Sequence, residues 1–95
     1  MGKKRLSSSR PKARIDWPSA TALQLISALK ALGFENFKVK GSHYYFRIPG
    51  SQILDYIQVP YHGNKEFRPE IVKDYWRQAK KQKAITEGEF LAALK

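Results

Sequence analysis

Along residues 17–95 the spacing of apolar positions changes twice, from helical to alternating and back, and the changes divide the chain into helical and strand regions. Leu25, Ile26, Leu29 and Leu32 recur every three to four residues, the stripe of an amphipathic helix. Ser19 or Thr21 can cap it, Thr21-x-x-Gln24 has capping-box spacing, and Gly33 ends it in the left-handed conformation common past a helix C-terminus. Its polar side, Gln24, Ser27 and Lys30, offers little chemistry, so this helix reads as scaffold. From Phe34 the period drops to two. Phe37 and Val39 alternate with Lys38 and Lys40, then Tyr44, Phe46 and Ile48 alternate with His43, Tyr45 and Arg47. Gly41-Ser42 supplies the turn of an antiparallel hairpin, with glycine free to take a positive φ. Pro49-Gly50-Ser51-Gln52 is a second turn signal, and Ile53 to Val59 reads as a third strand, with Ile57 and Val59 inward and Pro60 at its end. Asp55 breaks the alternation there. Helical spacing returns after Pro69: Ile71, Val72, Tyr75, Trp76 and Ala79 form an apolar face, and Lys73, Arg77, Lys80 and Lys81 a basic one. Thr86-x-x-Glu89 followed by Phe90, Leu91 and Leu94 predicts a short closing helix.

This order predicts an α+β fold, α-β-β-β-α, with a three-stranded antiparallel sheet packed by helices on one face and a short C-terminal helix added. The chain is 95 residues long, room for one domain, and we assign it to residues 17–95. Residues 1–16 are different in texture: Lys3, Lys4, Arg5, Arg10, Lys12 and Arg14 stand among serines with almost nothing apolar to bury, which predicts a disordered basic arm. The net charge is +10, and half of it lies in this arm. Such a surplus favours anionic partners, above all nucleic acid. The arm itself is either an electrostatic tether or a solvated tail. There is no cysteine, so disulfides and thiolate metal sites are excluded. Neither a long apolar run nor a secretory leader is evident, and no lipidation signal points to a membrane, so cytoplasmic residence is the expectation.

The alternation of the second strand puts His43, Tyr45 and Arg47 in one row on the face away from the core. The sequence has no Gly-rich phosphate loop, no ligand-spaced metal set, no nucleophile elbow and no carboxylate pair on one strand or helix face. A histidine among cations and aromatics suits one reaction with modest demands, cleavage of RNA by attack of its own 2′-hydroxyl on the adjacent phosphate. The substrate brings the nucleophile, and the protein brings a proton acceptor or donor and positive charge. This reading requires neither a metal ion nor a small-molecule cofactor. The same residues also fit a non-catalytic RNA- or DNA-binding module. The other histidine, His62, lies in the polar loop that precedes Pro69.

Leu29-Lys30-Ala31-Leu32-Gly33-Phe34, Lys40-Gly41-Ser42-His43-Tyr44, Val59-Pro60-Tyr61-His62-Gly63 and Ile85-Thr86 with Glu89-Phe90-Leu91 resemble the landmarks of the HicA toxins. These are small mRNA interferases of bacterial and archaeal toxin–antitoxin pairs, and the resemblance runs from about residue 20 to residue 94. It implies a fold like that of double-stranded-RNA-binding domains, ribonuclease activity with His43 as the catalytic residue, and a HicB-type antitoxin that neutralises the toxin by covering His43. In such a site Lys40 and Arg47 would engage phosphate, with Lys38 and Lys65 as further contacts. Tyr45 would stack on a base, Gly41 and Ser42 would fix the turn, and His62 is a second candidate for RNA contact or proton transfer. The basic arm, the long hairpin over residues 49–56 and Tyr61, where a basic residue is common, depart from the family pattern.

Overall fold

The computed structural model describes residues 16–50, 55–63 and 65–95; apart from Asp16, the basic arm lies outside them. The chain runs β1 (Ala20–Thr21), α1 (Ala22–Ala31), β2 (Glu35–Lys40), β3 (His43–Arg47), β4 (Ile57–Pro60), β5 (Glu66–Phe67), α2 (Pro69–Lys80) and α3 (Glu87–Ala93). Strands β2, β3 and β4 form an antiparallel sheet in that order, and β1 pairs with β5 in a separate two-stranded ribbon. The α+β class and the α-β-β-β-α order read from the sequence are the observed ones.

Local chemistry sets the helix limits. Thr21 accepts from the Gln24 amide, and the Gln24 side chain returns a bond to the Thr21 N–H, closing a capping box at α1. At the other end Gly33, at φ 99, donates to Lys30 while Phe34 donates to Leu29, the two bonds of a Schellman motif. Thr86 and Glu89 close a second capping box at α3. Arg68 precedes α2 without a side-chain cap, but Pro69 occupies its first turn, where a missing N–H costs nothing.

The core lies between the helices and the inner face of the sheet. Leu25 and Leu29 of α1, Phe46 of β3, Ile57 and Val59 of β4, Val72 of α2 and Phe90 of α3 are fully enclosed. Trp17 packs on Trp76 and Phe90, with ring centroids 5.7 and 6.1 Å away, and donates its indole N–H to Glu87 at 3.2 Å. The folded unit is therefore closed by a residue just beyond the basic arm.

Three expectations need correction. Phe37 does not continue the inward alternation, because the register slips between Asn36 and Lys38 and leaves Phe37 as the extra residue of a bulge. Its ring joins Tyr45 on the outer face instead (centroids 6.3 Å), and the Asn36 amide bonds the carbonyls of Lys38 and Tyr45 at 3.0 Å, satisfying the backbone at the slip. The third strand begins at Ile57 rather than Ile53, so Asp55 lies outside it; residues 51–54 are outside the described residues. On α2, Ile71 is 37% exposed, since it lies roughly 100° around the helix from Val72 and misses the sheet. The basic side of α2 is partly engaged with its own helix: Arg77 pairs with Asp74 at 2.8 Å, and Lys80 lies 4.2 Å over the Trp76 ring. Among the described residues no helix is long and apolar enough to cross a membrane.

Candidate active site

The outer face of the sheet carries the chemistry. Lys40 and His43 are Cα partners across the β2–β3 hairpin, as are Lys38 and Tyr45, so these four side chains share one face. Gly41, at φ 60, takes the positive φ that a primed two-residue turn requires at its first position, and Gly41-Ser42 thereby fixes the start of β3. His43 is half-buried. Lys38, Lys40 and Arg47 are exposed.

A side chain that sequence reasoning did not single out controls the His43 ring. Gln58 lies on β4, where its neighbours Ile57 and Val59 point into the core, and its amide nitrogen is 2.6 Å from His43 Nδ1. Alternation alone puts Gln58 on the outer face; only the β3–β4 register, pairing His43 with Pro60 and Tyr45 with Gln58, brings it to the imidazole. The contact couples the tautomer to the orientation of the amide. With the amide nitrogen toward Nδ1, the ring proton sits on Nε2; with the amide oxygen there, Nδ1–H donates and Nε2 presents its lone pair to solvent.

His62 comes to the same place from the following loop. Its ring meets that of His43 edge to face, with centroids 6.4 Å apart and planes at 85°. The loop is held to the hairpin turn by the Tyr61 N–H, which donates to the Ser42 carbonyl at 2.7 Å, and by Tyr61 packing on Tyr44 at 6.0 Å. Tyr61 is thus a packing residue. Gly41, Ser42, Tyr44, Tyr61 and Gly63 line a shallow depression beside the turn.

Farther along β3 the row becomes aromatic. Tyr45, Phe37 and Tyr56 contact one another at centroid distances of 5.2 to 6.3 Å, Lys38 lies 5.3 Å over the Tyr45 ring and Arg47 4.4 Å over Phe37. Tyr56 is half exposed. Glu35 is the Cα partner of Arg47, yet the guanidinium lies on the Phe37 ring. Arg47 is four residues from His43, roughly 13 Å along the strand. Arg47 is directed to the Phe37 ring rather than to the imidazole. Lys65 is exposed on the loop ahead of β5. Among the described residues no three His, Asp or Glu side chains gather as a metal site.

The arrangement offers a fixed imidazole with a second one beside it, a cation directly across, and an aromatic surface leading away. Curated proteins give no match to this chain. Residues 23–80 match the family described as HicA toxin of bacterial toxin-antitoxin, a span that holds the β2–β3 hairpin, Gln58, both histidines and α2. With more than half of its length matched, including every element that builds the site, the chain belongs to the HicA toxin family.

Proposed function

We propose that this toxin is a metal-independent endoribonuclease that cuts mRNA in the cytoplasm, with His43 as its catalytic residue. In the reaction the 2′-oxygen attacks the adjacent phosphorus and the bond to the 5′-oxygen breaks. The products are a 2′,3′-cyclic phosphate and a free 5′-hydroxyl; no water is consumed. His43 moves a proton, Lys40 offsets charge on the phosphate, and Arg47, Lys38 and Lys65 hold phosphates farther along the strand. Tyr45 stacks on an unpaired base, as single-stranded RNA recognition favours. The observation that carries this reading is the His43 imidazole held through Nδ1 by Gln58 with Lys40 as its cross-strand partner. An antitoxin is the partner of a toxin of this class, and a HicB-like protein seated over His43 would neutralise it by excluding RNA.

The discriminating experiment is a cleavage assay on single-stranded RNA in EDTA. The purified protein leaves 2′,3′-cyclic phosphate ends, and His43→Ala lowers the rate at least ~10²-fold while RNA binding persists. Undiminished cleavage by that variant removes His43 from the chemistry. Binding without cleavage by the wild-type protein favours a non-catalytic RNA- or DNA-binding module on the same fold.

A further inference from the structure

We infer that His62 is the second proton-transfer residue of this cleavage, donating to the departing 5′-oxygen while His43 accepts the proton of the 2′-hydroxyl. The inference rests on the ribonuclease reading above and completes it. In-line transfer requires two proton movements on opposite sides of one phosphorus. As the 2′-oxygen bonds to phosphorus its proton must leave, and as the P–O5′ bond breaks the electron pair on the 5′-oxygen must gain a proton. A single imidazole faces one side only.

The two rings border one space on the outer face. Their centroids are 6.4 Å apart, near enough for a phosphate seated over both to come within hydrogen-bond reach, roughly 3 Å, of a nitrogen of each. The rings meet edge to face at 85°, so they are not stacked against each other as a closed apolar pair. His62 is exposed, and the exposure is not that of an untethered loop. Upstream, Pro60 is in register with His43 and Tyr61 is tied to Ser42 at 2.7 Å. Downstream, Gly63 turns the chain at φ 68 and β5 is paired with β1. The backbone is thus tied to the sheet immediately upstream of a side chain that has little to pack against.

The roles follow from the surroundings of each ring. The Gln58 amide nitrogen stands 2.6 Å from Nδ1, and turning the amide over interchanges it with the oxygen; in that orientation His43 keeps its proton on Nδ1, Nε2 is free to accept, and the same oxygen steadies the imidazolium that results. His62, open to water, recovers its proton from solvent after the 5′-hydroxyl product leaves.

The test uses the full chain and two short RNA substrates with one cleavable linkage, one natural and one with sulfur replacing the bridging 5′-oxygen. A thiolate leaves without a proton, so the sulfur substrate bypasses the general acid. We expect His62→Ala and His62→Gln to cut the natural substrate at least ~10²-fold more slowly than wild type, and to cut the sulfur substrate within a few-fold of wild type. His43→Ala is expected to be slow on both. Equal losses on the two substrates, or no loss on the natural one, overturn the assignment of His62 as proton donor; rescue of His43→Ala by sulfur reverses the two roles and overturns it as well. No cleavage of either substrate by wild type overturns the ribonuclease reading itself. Unchanged far-ultraviolet dichroism and Tm in the His62 variants separate a chemical loss from a folding one.

Discussion

Gln58 reaches Nδ1 of His43 at 2.6 Å from the neighbouring strand, on the diagonal of the β3–β4 ladder. It touches the ring at Nδ1 and leaves Nε2 for substrate, so it acts through His43 and is a positioning residue. Gln58→Ala frees the imidazole to rotate, and we expect cleavage to fall roughly tenfold, a smaller loss than the ~10² for removing the acid–base group itself. Gln58→Glu is the informative variant. A carboxylate at Nδ1 favours the protonated ring, so the acid limb of the pH–rate profile moves to higher pH while the rate on its plateau is largely kept. A merely structural glutamine would lower the plateau and leave the limb in place.

The aromatic group at the other end of the row predicts a different kind of loss. Phe37, Tyr45 and Tyr56 offer ring surface, and stacking depends little on salt. Tyr45→Ala or Tyr56→Ala should weaken binding of single-stranded RNA by about 1–3 kcal/mol per base released, with an unchanged salt slope. Arg47→Ala and Lys38→Ala should instead flatten the slope, because fewer counterions are displaced. Titrations by fluorescence anisotropy at several salt concentrations read both quantities, and identical behaviour of the two sets would refute the division.

Removing residues 1–14 takes away Lys3, Lys4, Arg5, Arg10, Lys12 and Arg14. If the arm tethers RNA, its deletion lowers affinity and reduces the salt slope by about 0.7 for each single-strand phosphate that the arm neutralises. The cleavage rate at saturating RNA should stay the same, since His43 and Gln58 are untouched. An unaltered slope identifies the arm as a solvated tail.

How far the molecule could be read from its sequence depends on the range of the interaction concerned. Thr21 with Gln24, Thr86 with Glu89, and Gly33 act within a few residues, and all three are where the residue spacing puts them. The row His43, Tyr45, Arg47 follows from strand alternation alone. Phe37 does not, because its bulge is set by pairing with β3, and a slip of one residue moves a side chain to the other face. The β1–β5 ribbon joins Ala20 to Phe67 with two residues a side, too short to leave a period in the sequence. Gln58 falls in the same class: its partner is fifteen residues away and meets it only through register.

Gly33 predicts a stability effect that owes little to crowding. At φ 99 an L side chain is strained, while an added Cβ would meet only the Lys83 Nζ, at 3.3 Å, the movable end of a flexible chain. We expect Gly33→Ala to cost about 1–2 kcal/mol, the typical penalty of left-handed backbone for a non-glycine residue. Because Lys83 also donates to the Leu32 carbonyl at 2.7 Å, Lys83→Ala in the same background should recover little of the loss. Urea unfolding of the two single variants and the double variant measures this, and near-complete recovery would show that the clash, not the dihedral, dominates.

Tyr75 links the core to the site from beneath: its hydroxyl donates to the backbone carbonyl of Gln58 at 3.1 Å, and burial pushes its pKa from 10.0 up to about 12. In the unfolded chain the phenol ionises near pH 10, whereas the native protein holds the proton until about pH 12. Between those values the native state binds more protons than the unfolded one, so this contribution to stability is intact below pH 10 and declines as pH rises toward 12. Fully developed, the loss is about 2–3 kcal/mol at ~1.4 kcal/mol per pKa unit. Tyr75→Phe removes the titration along with one hydrogen bond, costing roughly 1 kcal/mol near neutrality. The two proteins differ only at this side chain, so the difference between their urea-unfolding free energies isolates Tyr75. That difference should shrink above pH 10 and change sign before pH 12; a constant difference from pH 8 to pH 11.5 would show that the buried phenol is not what alkali acts on.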